Sequence, residues 1–242
     1  MLLSIIKKKS YLFLMLLSGI MIAQTTEVHY QETRNLEKQL KQIDNPAIKE
    51  MLIKKVGQPV LFTLIYSKGV SNYAQHAETL NTSDNTIKVN SGNSKSNRVY
   101  KNSDSNNFIK IANLLDKAIT ISDTLIDFEW TVKDEIVTIG EYSCKVAEGI
   151  YNGKKIMAYF TDQININEGP DVYQGLPGLI IKLDTPGKTY LVKDIISKKG
   201  NTQIDIPSSK EAINRLEFEE LKKEQINNLK RSYGNSAKVI KS

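Results

Sequence analysis

Few groups in this sequence could carry covalent or proton-transfer chemistry, and they are scattered. There is one cysteine, Cys144, and two histidines, His29 and His76. A catalytic thiol needs a base within reach and a lowered pKa. In the run Tyr142-Ser143-Cys144-Lys145-Val146, a period of two places Cys144 with Tyr142, Val146 and Ile150 on one strand face, and Ser143 and Lys145 on the other. The expected role is a small buried hydrophobe. His29 falls in an amino-terminal stretch expected to fray and His76 at a strand end, so the two make a poor zinc site.

Carboxylates offer slightly more. Asp123 and Asp127 bracket a turn, while Asp162, Glu168 and Asp171 lie close in sequence and could form a weak calcium site or serve a hydrolase. No Asp-x-Asp-x-Asp-Gly loop is present, so turn capping and solvation account for them first. Serines are plentiful, yet no Gly-x-Ser-x-Gly elbow occurs, which disfavours an ordinary serine hydrolase. The sequence designates no catalytic residue, no metal ligand and no cofactor. Eleven tyrosines against six phenylalanines suit half-buried positions, with the ring packed and the hydroxyl wet. Tyr142, Tyr151, Tyr159, Tyr173 and Tyr190 could line a concave sheet that binds a peptide, a glycan or a lipid, or could cover the outer face of a two-sided sheet.

The most restricted backbone lies in Gly169-Pro170-Asp171-Val172-Tyr173-Gln174-Gly175-Leu176-Pro177-Gly178-Leu179-Ile180. Pro177 pushes Leu176 toward extended geometry, and Pro177-Gly178 suits the centre of a type II turn before a strand begins at Leu179. The stretch lacks the Lys-Ser/Thr ending of a P-loop. It reads as a rigid apolar corner, or as the rim of a cleft with Tyr173 and Leu176 exposed to it.

The elements around it are mostly strands. Two helices are expected within about 31–57, on the stripes Leu36/Leu40/Ile43 and Ile48/Met51/Leu52/Val56, with Gly57 and Pro59 as the stop. Their apolar stripes should pack on the sheet. Beyond Val60 the period turns to two. Val60 to Tyr66 and Val70 to Ala77 form a hairpin about Lys68-Gly69. Further strands are expected at Phe108 to Ala112, Ala118 to Ser122, Phe128 to Lys133, Glu135 to Ile139, Tyr142 to Ile150 and Lys155 to Thr161. Asn152-Gly153 joins the last two, and Thr185 to Lys188 turns Leu179–Leu183 into Tyr190–Ser197. Asn- and Ser-rich 81–97 reads as a mobile loop. Ser208 and Glu211 have capping-box spacing, so a carboxy-terminal helix should start there.

Lys7, Lys8 and Lys9, an apolar run from Tyr11 and a small residue at Ala23 predict that residues 1–23 are a secretory signal peptide. Removing it lowers the formal charge from +6 by three lysines, and nucleic-acid binding loses its main support. No transmembrane span is expected in the mature chain. One cysteine in an exported chain cannot form an internal disulfide. Residues 24–207 should form a single antiparallel β-rich domain and 208–242 a helix and tail.

The residues Phe128-x-Trp130, Gly140-Glu141-Tyr142-Ser143-Cys144-Lys145-Val146-Ala147, Tyr159-Phe160-Thr161, Gly169-Pro170 and Gly175-Leu176-Pro177-Gly178-Leu179-Ile180 resemble the GLPGLI family of exported bacterial proteins. Tyr159 stands where that family tends to carry Trp, and Ile164-Asn165 where Ile-Pro is usual. The resemblance implies an envelope protein of Bacteroidetes-type, Gram-negative bacteria, periplasmic or secreted, with no assigned activity and no catalytic residue to transfer. The expected fold is α+β: a long curved antiparallel meander, for which a half-barrel is one form, with N-terminal helices packed on it and a C-terminal helix. The expected role is non-catalytic binding of a hydrophobic or extended ligand, or of an envelope-protein partner, on the curved sheet. The alternatives are a hydrolase or metal-dependent enzyme using the carboxylates near the signature, and a structural protein with no ligand cavity.

Overall fold

The structure, a computed structural model, describes residues 24–75, 97–115, 117–200 and 202–239. The expected signal segment, His76 and, apart from Asn97, the polar loop 81–97 lie outside the described residues. Eleven strands follow one another as β1 (Gln24–Arg34), β2 (Val60–Ser67), β3 (Val70–Gln75), β4 (Arg98–Asn102), β5 (Asn107–Leu114), β6 (Lys117–Thr124), β7 (Thr131–Ile139), β8 (Tyr142–Tyr151), β9 (Lys154–Thr161), β10 (Leu179–Asp184) and β11 (Lys188–Lys199). They form one antiparallel sheet in the order β6-β5-β4-β3-β2-β1-β11-β10-β9-β8-β7.

That order requires a strong curl. The edge strands β6 and β7 are consecutive in the chain, joined by residues 125–130. Seven Cα steps reach about 25 Å at most, whereas ten strand spacings in a flat sheet span roughly 48 Å. The meander therefore bends back on itself as an unclosed half-barrel, and its edges face each other across the 125–130 link. Leu64, Tyr73, Phe160, Leu183 and Tyr190 are buried within the core cluster.

Two tight turns follow their sequence signals. Lys68-Gly69 and Asn152-Gly153 both have positive φ at each position, the requirement of a two-residue hairpin turn. Sequence reasoning missed two strands. The amino-terminal stretch expected to fray is β1, the central strand that joins the two halves through β2 and β11. Its inward row is Thr26, Val28, Tyr30 and Glu32, all buried, so a polar residue at each end masks the period. β4 was missed for a related reason: its inner residue Lys101 is fully buried. The two segments expected at Phe128–Lys133 and Glu135–Ile139 are one strand, β7, with an irregular register between Val132 and Ile136. Phe128 lies before it, buried in the link.

The helices differ from expectation in their packing. The two within 31–57 are α1 (Glu37–Leu40) and α2 (Pro46–Val56). Asn45 caps α2 through hydrogen bonds accepted from the Ala47 and Ile48 N–H groups. Neither helix buries a residue, and Ile48, Met51 and Ile53 are exposed. The hollow they were expected to cover is filled by another segment. The last helix, α3 (Arg215–Val239), begins seven residues after Ser208 because its capping box is Asn214 and Glu217: the Glu217 N–H donates to Asn214 Oδ1 at 2.9 Å and the Asn214 N–H donates to Glu217 Oε2 at 3.0 Å. Just before it, Ile213 adds one rung to edge strand β6 through bonds with Thr120 and Ser122. Among the described residues, no helix is long and apolar enough to cross a membrane.

Candidate binding site at the signature loop

The 162–178 connection between β9 and β10 does not stay at their ends. It folds across the hollow, reaching Lys101 on β4, Lys110 on β5 and the 125–130 link. Val172, Tyr173, Leu176, Leu179 and Ile180 are all buried. The Tyr173 ring lies 5.2 Å from Phe128, 5.6 Å from Tyr151 and 6.0 Å from Tyr190, an aromatic cluster of edge and tilted contacts. The signature is thus a plug in the half-barrel.

Two of its glycines, Gly169 and Gly178, serve close approach. Gly178 adopts φ +148, and a Cβ there would stand 2.1 Å from the Thr161 carbonyl oxygen. A Cβ on Gly169 would stand 2.6 Å from Ile180 Cδ1. The type II turn expected at Pro177-Gly178 is not formed. Instead the Gly178 N–H donates to the Leu176 carbonyl at 2.8 Å, a γ-turn about Pro177, because the Leu179 N–H is taken by Ile164. Gly175 has φ +94 with open space around it, and Pro170 is buried.

Polar side chains fasten the plug. Lys101 Nζ is 2.6 Å from Glu168 Oε2 and donates to the carbonyls of Gly169 and Tyr173 at 3.0 and 3.2 Å, all out of solvent. Tyr30 donates its hydroxyl to the Ile180 carbonyl at 2.5 Å, and Trp130 Nε1 donates to Gln174 at 2.9 Å. Burial pushes the Tyr30 hydroxyl well above its ordinary range, so it stays a donor.

At one rim the plug leaves space. A cavity of about 220 Å³ is lined by Glu32, Tyr73, Asn97, Lys110, Asp171 and Lys188 among others, and a second of about 370 Å³ shares Asn97, Lys110 and Lys188 and extends to Tyr151 and Phe218 on α3. Most charges in this double cleft are paired among the described residues, and Arg34, at the exposed edge of the first chamber, is not. Lys110 pairs with Asp171 at 2.6 Å and Lys188 with Glu32 at 2.5 Å. Arg215 lies 3.7 Å from Asp123. Burial alone would raise the Asp171 carboxyl and lower the Lys110 ammonium. Their mutual attraction outweighs it, holding Asp171 below and Lys110 above their ordinary values. Tyr73 is 2% exposed, and its hydroxyl finds no hydrogen-bond partner among the described residues.

The depressed Asp171 carboxyl gives a pH test. A carboxylate with a lowered folded-state pKa stabilises above its unfolded value, near 3.9, and that contribution is lost as pH falls through the folded value. Asp171→Asn is expected to cost roughly 1–2 kcal/mol at neutral pH and progressively less below about pH 4. Urea titrations of both proteins across that window provide the check; a pH-independent loss would show that the charge pair is not its source.

The structure does not bring together Asp162, Glu168 and Asp171. Asp162 pairs with Lys145 at the surface, Glu168 with Lys101 in the interior and Asp171 with Lys110 in the cleft. No group of three His, Cys, Asp or Glu residues able to hold a metal ion occurs among the described residues. His29, rather than fraying, sits in β1 with Nε2 2.8 Å from Glu27. Cys144 is buried with Val146, while Ile150 turns outward. Burial pushes the Cys144 thiol up to about 11, so in the folded protein a thiol reagent at pH 8 should label it far more slowly than in urea; equal rates would refute its burial. The cleft itself was not evident from sequence, because Glu32, Tyr73, Lys110 and Lys188 sit on four different strands.

One stretch of the chain is shared with a described family. Residues 147–182 match the family described as "Protein of unknown function (Porph_ging)". The Porph_ging match runs from Ala147 in β8 to Lys182 in β10, so it covers the whole plug, including the Gly175–Ile180 signature. No curated protein matches the chain. The fold is similar to two solved structures titled "Structure of PNGF-II in P21 space group" and "Structure of PNGF-II in C2 space group", with TM-scores of 0.51 and 0.50 at 17% identity. The likeness covers 82% of this chain but only 33% and 32% of those chains. This chain therefore spans about a third of the length of those structures, and the likeness is one of fold.

Proposed function

We propose that this protein is an exported, non-catalytic binding module whose ligand site is the double cleft at the rim of the plugged half-barrel. The observation that carries this reading is the cleft itself: two adjoining chambers with charge pairs already in place, one of them ending on Asp171 of the plug. The plug occupies the hollow that a lipid would need, so the expectation of a hydrophobic or extended ligand narrows to an extended polar one. Export is supported by the basic and apolar character of Met1–Ala23. Catalysis is disfavoured because each signature carboxylate is committed to its own lysine.

The test is a thermal-shift screen of the mature protein against lipids, peptides, small acids and carbohydrates, repeated with Gln75→Trp, which adds a bulky ring to the lining of the first chamber. Gln75 lines that chamber at the end of β3. Stabilisation by one ligand class that Gln75→Trp abolishes is the expected result. Silence across all classes, or binding indifferent to Gln75→Trp, overturns the assignment of the cleft.

A further inference from the structure

Three kinds of ligand meet an obstacle in this cleft. An apolar chain would strip water from Glu32, Asp171, Lys110 and Lys188 without replacing their hydrogen bonds, a cost of several kcal/mol for charged groups. A simple anion could meet Arg34 at the exposed edge of the first chamber, but further in it would approach the Glu32 and Asp171 carboxylates, whose lysines, Lys188 and Lys110, are already paired with them. A simple cation would face those two ammonium groups. What remains is a neutral ligand that donates and accepts at neighbouring atoms.

The charge pairs are built for that. A carboxylate bonded to one ammonium keeps unused acceptor sites, and the ammonium keeps unused donors. Each pair therefore offers an acceptor beside a donor at fixed spacing, complementary to two adjacent hydroxyl groups, each of which is both donor and acceptor. Two such pairs, Lys110–Asp171 and Lys188–Glu32, share one chamber wall. Tyr73 lines the same chamber, and its buried hydroxyl has no partner among the described residues. Side-chain amides complete the wall at Gln58, Gln75 and Asn97. In the second chamber, half-buried Tyr151 and Phe218 supply apolar ring surface, which suits the C–H face of a pyranose.

We infer that the cleft binds a neutral saccharide chain, with one unit held by the two carboxylate–ammonium pairs and Tyr73, and the next lying against Tyr151 and Phe218. This inference rests on the binding-module reading and adds the ligand class. The sharing of Asn97, Lys110 and Lys188 by both chambers makes the site continuous, so oligosaccharides should bind more tightly than single sugars.

The experiment is binding of the mature protein to a set of neutral oligosaccharides by isothermal titration, with Tyr73→Phe and Gln75→Trp beside the parent. Tyr73→Phe removes only an unpartnered hydroxyl, so its melting temperature should not fall. Its affinity should drop about tenfold, the effect of one lost hydrogen bond, and Gln75→Trp should abolish binding. If peptides or small acids bind in a Gln75→Trp-sensitive way and saccharides do not, the saccharide assignment is overturned while the cleft stands. If saccharides bind but ignore both substitutions, the location is wrong. If nothing binds, both readings fall.

Discussion

Gly178→Ala is expected to destabilise the protein by about 3 kcal/mol or more, a loss large enough to leave a marginal domain partly unfolded. Two independent effects add at this position. The backbone holds φ +148, a region that L residues avoid, at a cost of order 1–3 kcal/mol. The new methyl would also stand 2.1 Å from the carbonyl oxygen and 2.7 Å from the carbonyl carbon of Thr161. These are backbone atoms of β9, fixed by ladders to β8 and β10, so neither can rotate away. Gly175→Ala is the matched control. Its φ is +94 but nothing lies within 4 Å, so only the conformational term applies and the loss should be about 1 kcal/mol. Urea midpoints of the two variants decide the matter: equal losses would show that the approach of Gly178 to β9 is not what the signature glycine provides.

The contrast between those glycines shows how far the signature could be interpreted from sequence alone. Two Gly-Pro or Pro-Gly pairs beside an apolar run mark a fixed backbone, and the strand beginning at Leu179 follows from it. The destination of the loop was not legible, since nothing in Gly169–Ile180 says that it crosses to β4 and β5. The same limit applies to charge. Lys101, Lys110 and Lys188 read as ordinary solvated lysines, and Glu168 and Asp171 as turn residues. Their pairings join positions 61 to 156 residues apart, distances that only the curl of the sheet closes. Hairpins such as Lys68-Gly69 and Asn152-Gly153 are local and were legible. Strand β1 was not, because it pairs with β11 across the whole length of the domain and mixes Glu32 and Thr26 into its buried row.

Lys101→Met should be the second severe substitution, at about 3–5 kcal/mol, and for a reason unlike the glycine's. The Lys101 ammonium and the Glu168 carboxylate are 1% and 4% exposed and 2.6 Å apart. Methionine fills most of the volume, so packing is kept. What it removes is the charge that compensates Glu168, together with donors to the Gly169 and Tyr173 carbonyls. A buried carboxylate without a partner is far more costly than the pair is favourable. It follows that Lys101→Met combined with Glu168→Leu should recover much of the loss, giving a coupling energy of the kind expected for residues in direct contact. The double variant cannot restore the two carbonyl bonds, so hydrogen exchange at Gly169–Tyr173 should remain faster than in the parent even where global stability returns. That pattern would assign Lys101 to holding the plug in register and not to the stability of the sheet. If the double variant is as unstable as Lys101→Met alone, the cost lies in the lost carbonyl bonds, and the ion pair is incidental to how the loop is held.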